Sequence, residues 1–310
     1  YKAVYEGDAS HTNSESSTVT ITVTDLITTE LELEAASSTI YIGDTPSLSG
    51  TLYTSDSETT GIDGASVKIY RGNTLVDTVT TEGGVFEYYD TATSSTGSLS
   101  YKAVYDGDST YANCESETVT VTVSKIPTVI SLSAVSSSIY VGDTPQLTGT
   151  LTDNSNNPLA NATVYIYLGG AQQLAQVTTG NDGSFSWTGS ASSRSGDKHF
   201  TAKYLGDSTY GNATSNDVVI TVSKINTSLD IDVPLSLVYS DAFNITGTLT
   251  DASNNGINGA TIKLKVGNTV VDTGTTATVD GVSGVVKFTQ TPVSMGNHTF
   301  QLAYEGTAKY

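Results

Sequence analysis

Apolar side chains recur at every second position in short runs along the chain, a period of two that predicts strands with one buried and one solvent-facing side. In Tyr101-Lys-Ala-Val-Tyr105 the residues Tyr101, Ala103 and Tyr105 share a face, and the same places hold Phe200, Ala202, Tyr204 and Phe300, Leu302, Tyr304. A turn follows at Gly107-Asp108 and Gly206-Asp207, because glycine accepts positive φ and aspartate hydrogen-bonds its own backbone. Beyond it Val119, Val121 and Val123 alternate with threonines, matched by Val19, Ile21, Val23 and by Val218, Ile220, Val222. Two antiparallel strands joined by a polar corner are the expectation.

The same segment sets a long period. Its anchor tyrosines Tyr5, Tyr105, Tyr204 and Tyr304 lie 100, 99 and 100 residues apart, which is a repeat of domain length. Two complete units are expected at 24–123 and 124–222. They are flanked by 1–23, with the last two strands of a unit, and by 223–310, which lacks the last strand. Such cut edges leave backbone groups unpaired, so the chain is expected to be a window on a longer array or a subunit completed by another chain.

Within a unit the first strand carries Leu31, Leu33 and Ala35 against Glu30, Glu32 and Glu34, with equivalents Ile130, Leu132, Ala134 and Leu229, Ile231, Val233. Ile40-Tyr-Ile-Gly-Asp44 and Ile139-Tyr-Val-Gly-Asp143 lead through Pro46 and Pro145 into Leu48-Ser-Gly-Thr-Leu52 and Leu147-Thr-Gly-Thr-Leu151. The Gly between two inward residues of these strands, and of Ile245-Thr-Gly-Thr-Leu249 in the last unit, predicts a close backbone or aromatic approach across the core. Long polar loops follow (53–64, 152–161, 250–259), then Ala65–Ile69, Ala162–Ile166 and Ala260–Leu264, a weaker strand, and Phe86-Glu-Tyr88, Phe185-Ser-Trp187 or Val286-Lys-Phe288. About seven short strands per unit with regular turn signals predict an all-β fold of tandem antiparallel sandwiches. The linkers 24–28, 124–128 and 223–227 are too short for a flexible coil, so a semi-rigid rod is expected, each unit spanning about 35–40 Å.

Composition changes the picture in two ways. With 13 Lys+Arg against 32 Asp+Glu the net charge is −19, which repels nucleic acid and anionic membrane and favours cations or neutral glycans as partners. A single cysteine permits no intrachain disulfide, so each unit must be held by its core, for which about 100 residues suffice.

As a set, the Y-x-A-x-Y-x-G-D-x-x-Y strand and turn, the V-x-V-x-V exit strand, the I-Y-x-G-D-T-P segment and the G-T-L strand resemble the bacterial and archaeal immunoglobulin-like repeat domains of large adhesin-like surface proteins, as in methanogenic archaea. The resemblance covers all units. It implies that the sandwiches are tandem immunoglobulin-like β-sandwiches of about seven strands, and that the chain is an extracellular stalk or adhesin of tandem modules, located at the cell surface. Thr307 and His11 depart from it, standing where other copies have Asp and Tyr.

Candidate chemistry is sparse. His11, His199 and His298 occupy unrelated repeat positions, without nucleophile, zinc-ligand or phosphate-loop spacing around them, and no enzyme is expected. Cys114 aligns with Ser14 and Ala213, as a tolerant surface position would. Topology suggests that Asp44, Asp153 and Asp207 converge at one junction, and Asp108 and Asp56 at another, where hard oxygen ligands suit Ca²⁺. Otherwise no cofactor is implied, and the simpler account of these aspartates is turn chemistry. Asn161, Asn212, Asn226, Asn244 and Asn297 each sit in an N-x-Ser/Thr acceptor sequence for N-glycosylation. The tyrosines Tyr5, Tyr105, Tyr204 and Tyr304 are expected in the cores, and Lys68, Lys102, Lys203 and Lys263 on outward positions, which argues against isopeptide staples. The expected role is therefore structural, a stalk or filament whose partners are further repeats or identical subunits. The rivals are glycan or cell binding through exposed loops such as 53–64, and fibre assembly by strands exchanged between chains.

Overall fold

The computed structural model describes residues 1–310 other than Asp56, Leu237, Tyr239, Pro292 and Val293. Every regular element among them is a strand. The chain divides into two compact units, Tyr1–Ile126 and Pro127–Tyr310. Each packs its apolar faces into sandwiches, with one core in the first unit and two in the second.

In the first unit one sheet joins Thr29–Ala35 to Ser47–Thr54, on which Ser57–Gly61 and Val85–Tyr89 also pair. The facing sheet runs in the order Thr39–Tyr41, Val119–Ser124, Gly97–Tyr105, Ser66–Arg71, Thr74–Thr80, with Cys114–Glu115 added to Gly97–Tyr105. The inward members of these strands, Leu48, Leu52, Val67, Ile69, Tyr101 and Ala103, are buried, whereas the intervening Glu30, Glu32 and Glu34 face solvent on an edge strand. Carboxylates there discourage edge-to-edge pairing.

The second unit repeats the plan. Thr128–Ala134, Gln146–Asp153 and Ser184–Thr188 face a sheet ordered Ser138–Tyr140, Val218–Ser223, Gly196–Tyr204, Thr163–Leu168, Gln172–Thr178. Its last sandwich sets Thr227–Asp232, Phe243–Asp251, Val282–Gln290 and Ala277–Val279 against Thr269–Thr275, Thr261–Val266 and Phe300–Tyr304.

Several expectations need correction. The sandwiches are not wholly antiparallel: Thr39–Tyr41 runs parallel to Thr122–Ser124, and Ser138–Tyr140 parallel to Thr221–Ser223. The chain crosses between sheets at these points, so its leading segment lies beside the exit strand. Residues 53–64 are also less loop than expected, since Ser47–Thr54 continues as a strand, bends back into Ser57–Gly61, and buries Tyr53. In the first copy of the motif only Val4–Tyr5 and Ser14–Glu15 pair, and residues 17–23 are not a strand. Tyr5 lies on this two-stranded ribbon and is 46% exposed rather than core. Tyr105 and Tyr204 are buried and Tyr304 is partly buried.

The inward glycines do make room for an aromatic ring. A Cβ on Gly50 would stand 2.2 Å from Phe86 Cζ and 2.4 Å from the Glu32 carbonyl oxygen, and one on Gly149 would stand 2.3 Å from both Phe185 Cζ and the Ser131 carbonyl oxygen. The approach is not across the core as expected: the ring comes from the neighbouring strand of the same sheet, Phe86 being the cross-strand partner of Gly50 and Phe185 that of Gly149.

Candidate functional site

The most repeated polar construction is the corner after the motif strand. Asp108 accepts backbone N–H groups from Thr110 (2.7 Å) and Tyr111 (2.9 Å) on one carboxylate oxygen and the Tyr105 hydroxyl (3.1 Å) on the other. Asp207 does the same for Thr209, Tyr210 and Tyr204, and Asp8 for Ser10, His11 and Tyr5. The donated N–H groups hold the Asp108 carboxyl below the usual carboxylate range. Burial first, and the Asp108 contact second, push the Tyr105 phenol up to about 12. The corner is therefore a locked turn whose tyrosine stays a neutral donor.

The Asp108 and Asp207 corners also grip the start of their own sandwiches. The Ala112 N–H donates to Ile27 O (2.9 Å) and the Thr29 hydroxyl to Ala112 O (2.9 Å); Thr128 reaches Gly211 O in the same way at 2.9 Å. The loop after the second strand adds Ser55 N–H to Thr28 O and Asn154 N–H to Pro127 O, both 3.0 Å. The third sandwich shows what the Asp-to-Thr departure does. Thr307 Oγ1 accepts the Lys309 and Tyr310 N–H groups at 3.2 Å, but it is too short to reach Tyr304, whose buried hydroxyl has no hydrogen-bond partner.

The aspartates considered as cation ligands are each engaged locally. Asp44 accepts the Tyr41 N–H (2.8 Å), and Asp153 accepts N–H groups from Ser155 and Asn157 (both 2.8 Å) and the Asn157 amide (2.9 Å). Asp108 and Asp207 hold their corners, and Asp56 lies outside the described residues. Among the described residues no group of three or more His, Cys, Asp or Glu side chains is placed to share a metal ion. The five acceptor asparagines, Asn161, Asn212, Asn226, Asn244 and Asn297, are all solvent-exposed. Asn161 sits at φ 56° in a turn, and Asn244 on a strand accepts the Thr289 hydroxyl at 3.0 Å.

Other singled-out residues fall on the surface, with one exception. Lys68 pairs with Asp106, Lys102 with Glu115 (2.8 Å) and Lys263 with Glu305 (2.7 Å), while Lys203 lies over the Tyr167 ring. His11 contacts Asp8 (2.9 Å), His199 contacts Asp217 (2.6 Å), and His298 reaches Ser294 O (2.9 Å). Cys114 is the exception: it is partly buried against the first core, and burial pushes its thiol pKa up. A small residue is needed there because the position lies opposite the motif tyrosine, as Ser14 and Ala213 do.

Two polar devices escape a reading based on apolar periodicity. Buried threonines Thr81, Thr179 and Thr276 each donate to one carbonyl and accept one N–H, from Ala65, Ala162 and Ala260 at 2.9 Å. Their identity at equivalent places in all three sandwiches was the available signal. The second device belongs to the first sandwich alone. Asp90, whose side chain is 4% exposed, accepts Arg71 Nη1 (2.7 Å) and the Tyr101 hydroxyl (2.6 Å) on one oxygen. Burial raises the Asp90 pKa most, but the Tyr101 and Thr91 hydrogen bonds and the Arg71 charge outweigh it and hold the carboxyl below its ordinary value. The second sandwich has Leu168, Gly189 and Phe200 at these places and packs Trp187 on Phe200 with ring centroids 5.8 Å apart.

Residues 132–223 match the family model of the bacterial Ig-like domain (group 3). No curated protein sequence matches the chain. Among solved structures, FdeC, an Escherichia coli adhesin, is 14% identical over 91% of this chain and 93% of its own, with a TM-score of 0.32. A tetra-tandem repeat in the extending region of a large adhesion protein is 16% identical over 97% of this chain and 79% of its own, with a TM-score of 0.33. The Yersinia pseudotuberculosis adhesin InvE is 16% identical over 73% of this chain and 68% of its own, with a TM-score of 0.29.

Proposed function

We propose that this chain of tandem Ig-like domains is a non-enzymatic, load-bearing part of a cell-surface protein, an extracellular stalk of adhesin type. The observation that carries the reading is the parallel pairing of leading and exit segments. Thr39–Tyr41 runs alongside Thr122–Ser124, extended by the Ile42 N–H to Ser124 O bond at 3.0 Å. Ser138–Tyr140 and Thr221–Ser223 repeat it, with Val141 N–H to Ser223 O at 2.9 Å. Tension applied at the two ends of such a sandwich slides these strands past one another. The bonds then share the load and must break together, whereas an unzipping hairpin loses them singly.

Two further features support the stalk. The locked corners and their bonds to residues 27–29 and 127–128 stiffen the point where each complete sandwich receives the chain. The exposed acceptor asparagines suit a glycosylated extracellular surface. The partners of such a stalk are further repeats, and at its working end glycans or neighbouring cells. No helix of the described residues is long and apolar enough to cross a membrane.

The test is single-molecule force extension of the chain and of Ile42→Pro, which deletes the donor to Ser124 O. The expected result is a lower unfolding force for the first sandwich while the second, unaltered, serves as internal reference. Equal forces for both sandwiches in the variant would overturn the load-bearing assignment.

A further inference from the structure

The sheet that contains the motif strand presents a different outer face in the second sandwich. In the first, Lys68 pairs with Asp106 and Lys102 with Glu115 across that face. In the third, Lys263 pairs with Glu305. By strand register the second sandwich has Tyr165 and Leu205 in place of Lys68 and Asp106, and Thr201 and Thr214 in place of Lys102 and Glu115. Leu205 is 61% exposed. Both partners of each ion pair are replaced, so the face loses its charges without leaving one unpaired.

Two cross-strand rows occupy the altered face. Tyr165 stands between Gln176 and Lys203, and Tyr167 between Gln173 and Thr201. Val164 and Ile166, which alternate with the tyrosines, are fully buried. Both phenol rings therefore lie on the outer side, partly exposed and about 7 Å apart along the strand. The hydroxyls of Tyr105 and Tyr204 are spent on their corner aspartates. By contrast, the side chains of Tyr165, Tyr167, Gln173 and Gln176 hydrogen-bond to no described residue. The Thr201 hydroxyl oxygen is buried without a hydrogen-bond partner. Lys203 pairs with no carboxylate among the described residues, and its ammonium lies 4.6 Å from the centre of the Tyr167 ring.

We propose that this face of the second sandwich binds a neutral, extended polysaccharide, a β-1,4-linked hexose chain lying along Thr163–Leu168. A pyranose ring is apolar on its C–H faces and carries hydroxyls around its rim. It therefore fits flat aromatic surface set beside groups that both donate and accept hydrogen bonds. The two phenols and the two glutamine amides supply both kinds, and Lys203 adds a donor. An open sheet face suits an internal stretch of a straight chain, whose successive sugars cover two rings in line. Charge decides against the other occupants. The chain carries −19, so an acidic polymer or a second copy of the chain brings repulsion to the contact, and a neutral glycan brings none. The site uses neither Ser138–Tyr140 nor Thr221–Ser223, the strands assigned to bear load in this sandwich.

Isothermal titration of the whole chain with cellohexaose and with mannohexaose tests this. The expected result is saturable binding of one or both, weakened about tenfold by Tyr167→Ala. A second variant, Tyr165→Lys combined with Leu205→Asp, rebuilds the residues of the Lys68–Asp106 pair, which a sandwich of this plan already accommodates. It should weaken binding as much while hydrogen-exchange protection along Gly196–Tyr204 stays unchanged. Absence of binding by both sugars up to about millimolar concentration overturns the proposal. Binding that both variants retain also overturns it, because a different surface then holds the sugar. Sedimentation velocity reads the remaining occupant. If the mass of the unaltered chain climbs above 32.2 kDa with concentration and the Tyr165→Lys, Leu205→Asp variant stays at one chain, the face joins copies of the protein and the polysaccharide assignment falls. Each of these failures leaves the stalk assignment standing, since load there is borne by other strands.

Discussion

The Arg71–Asp90–Tyr101 cluster allows a sharp energetic test, because the second sandwich does without it. Asp90→Ala removes the acceptor of the Arg71 and Tyr101 hydrogen bonds, at 2.7 and 2.6 Å, and of the Thr91 N–H at 2.7 Å, and leaves the fully buried Tyr101 hydroxyl without a partner. Breaking a buried pair from one side typically costs about 3–5 kcal/mol. The Arg71 side chain is 39% exposed and regains water, so the expected loss is about 2–3 kcal/mol. Tyr101→Phe alone should cost about 1 kcal/mol, the net worth of one hydrogen bond. Combining the two removes the orphaned hydroxyl that made the single Asp90 change expensive. The double variant should therefore be more stable than the sum of the singles by about 1 kcal/mol, moving the site toward the Gly189 and Phe200 arrangement of the second sandwich. Native-state hydrogen exchange along Gly97–Tyr105 reads this sandwich separately from the others, which a bulk unfolding curve on a multidomain chain does not. A loss below about 0.5 kcal/mol for Asp90→Ala, or strict additivity in the double variant, would refute the view that the cluster is a coupled, desolvated unit.

The same cluster predicts a pH dependence. Because the folded Asp90 carboxyl lies below its ordinary value of about 3.9, its contribution is complete above that value and is lost as pH falls through the folded pKa. Acid titration should thus weaken protection of the first sandwich, and Asp90→Ala should make that weakening smaller, whereas the acid response of the other sandwiches, which have lowered carboxyls of their own such as Asp153 and Asp251, should not change. In the third sandwich, Thr307→Asp should supply the Tyr304 hydroxyl with the acceptor that Asp108 and Asp207 give its counterparts. A gain of about 1 kcal/mol in the exchange protection of Phe300–Tyr304 is expected, and an unchanged or lower value would show that the corner aspartate does not act through the tyrosine.

Much of the fold was legible because strands announce their buried faces with a period of two and because the chain repeats itself. Leu31 and Leu33, Val67 and Ile69, and Tyr101 and Ala103 are buried where alternation placed them. The space required by Gly50 and Gly149 was legible for the same reason, although the ring that needs it belongs to the same sheet. Misplaced features depend on what packs on them. Tyr5 has the sequence of a core tyrosine, yet it lies exposed on a two-stranded ribbon. Tyr53 reads as the start of a polar loop, yet it is buried because its strand continues and doubles back. The Arg71–Asp90–Tyr101 cluster joins residues far apart in the chain, so nothing local marked it except Tyr101 standing where Phe200 and Phe300 do.

By itself, the sequence determined the repeat length, the all-β class, the inward face of most strands, and the corners where Gly and Asp end the motif strand. All of these follow from side-chain period and local backbone preference. Tertiary structure decided the parallel seat of Thr39–Tyr41, the polar cluster under Tyr101, and the difference between Val119-Thr-Val-Thr-Val123 as a buried strand and Val19-Thr-Ile-Thr-Val23 as an exposed one. The last contrast gives the reason: nearly identical residues have the same propensity, and a strand forms only where a neighbouring edge and an apolar face complete its hydrogen bonds and its burial.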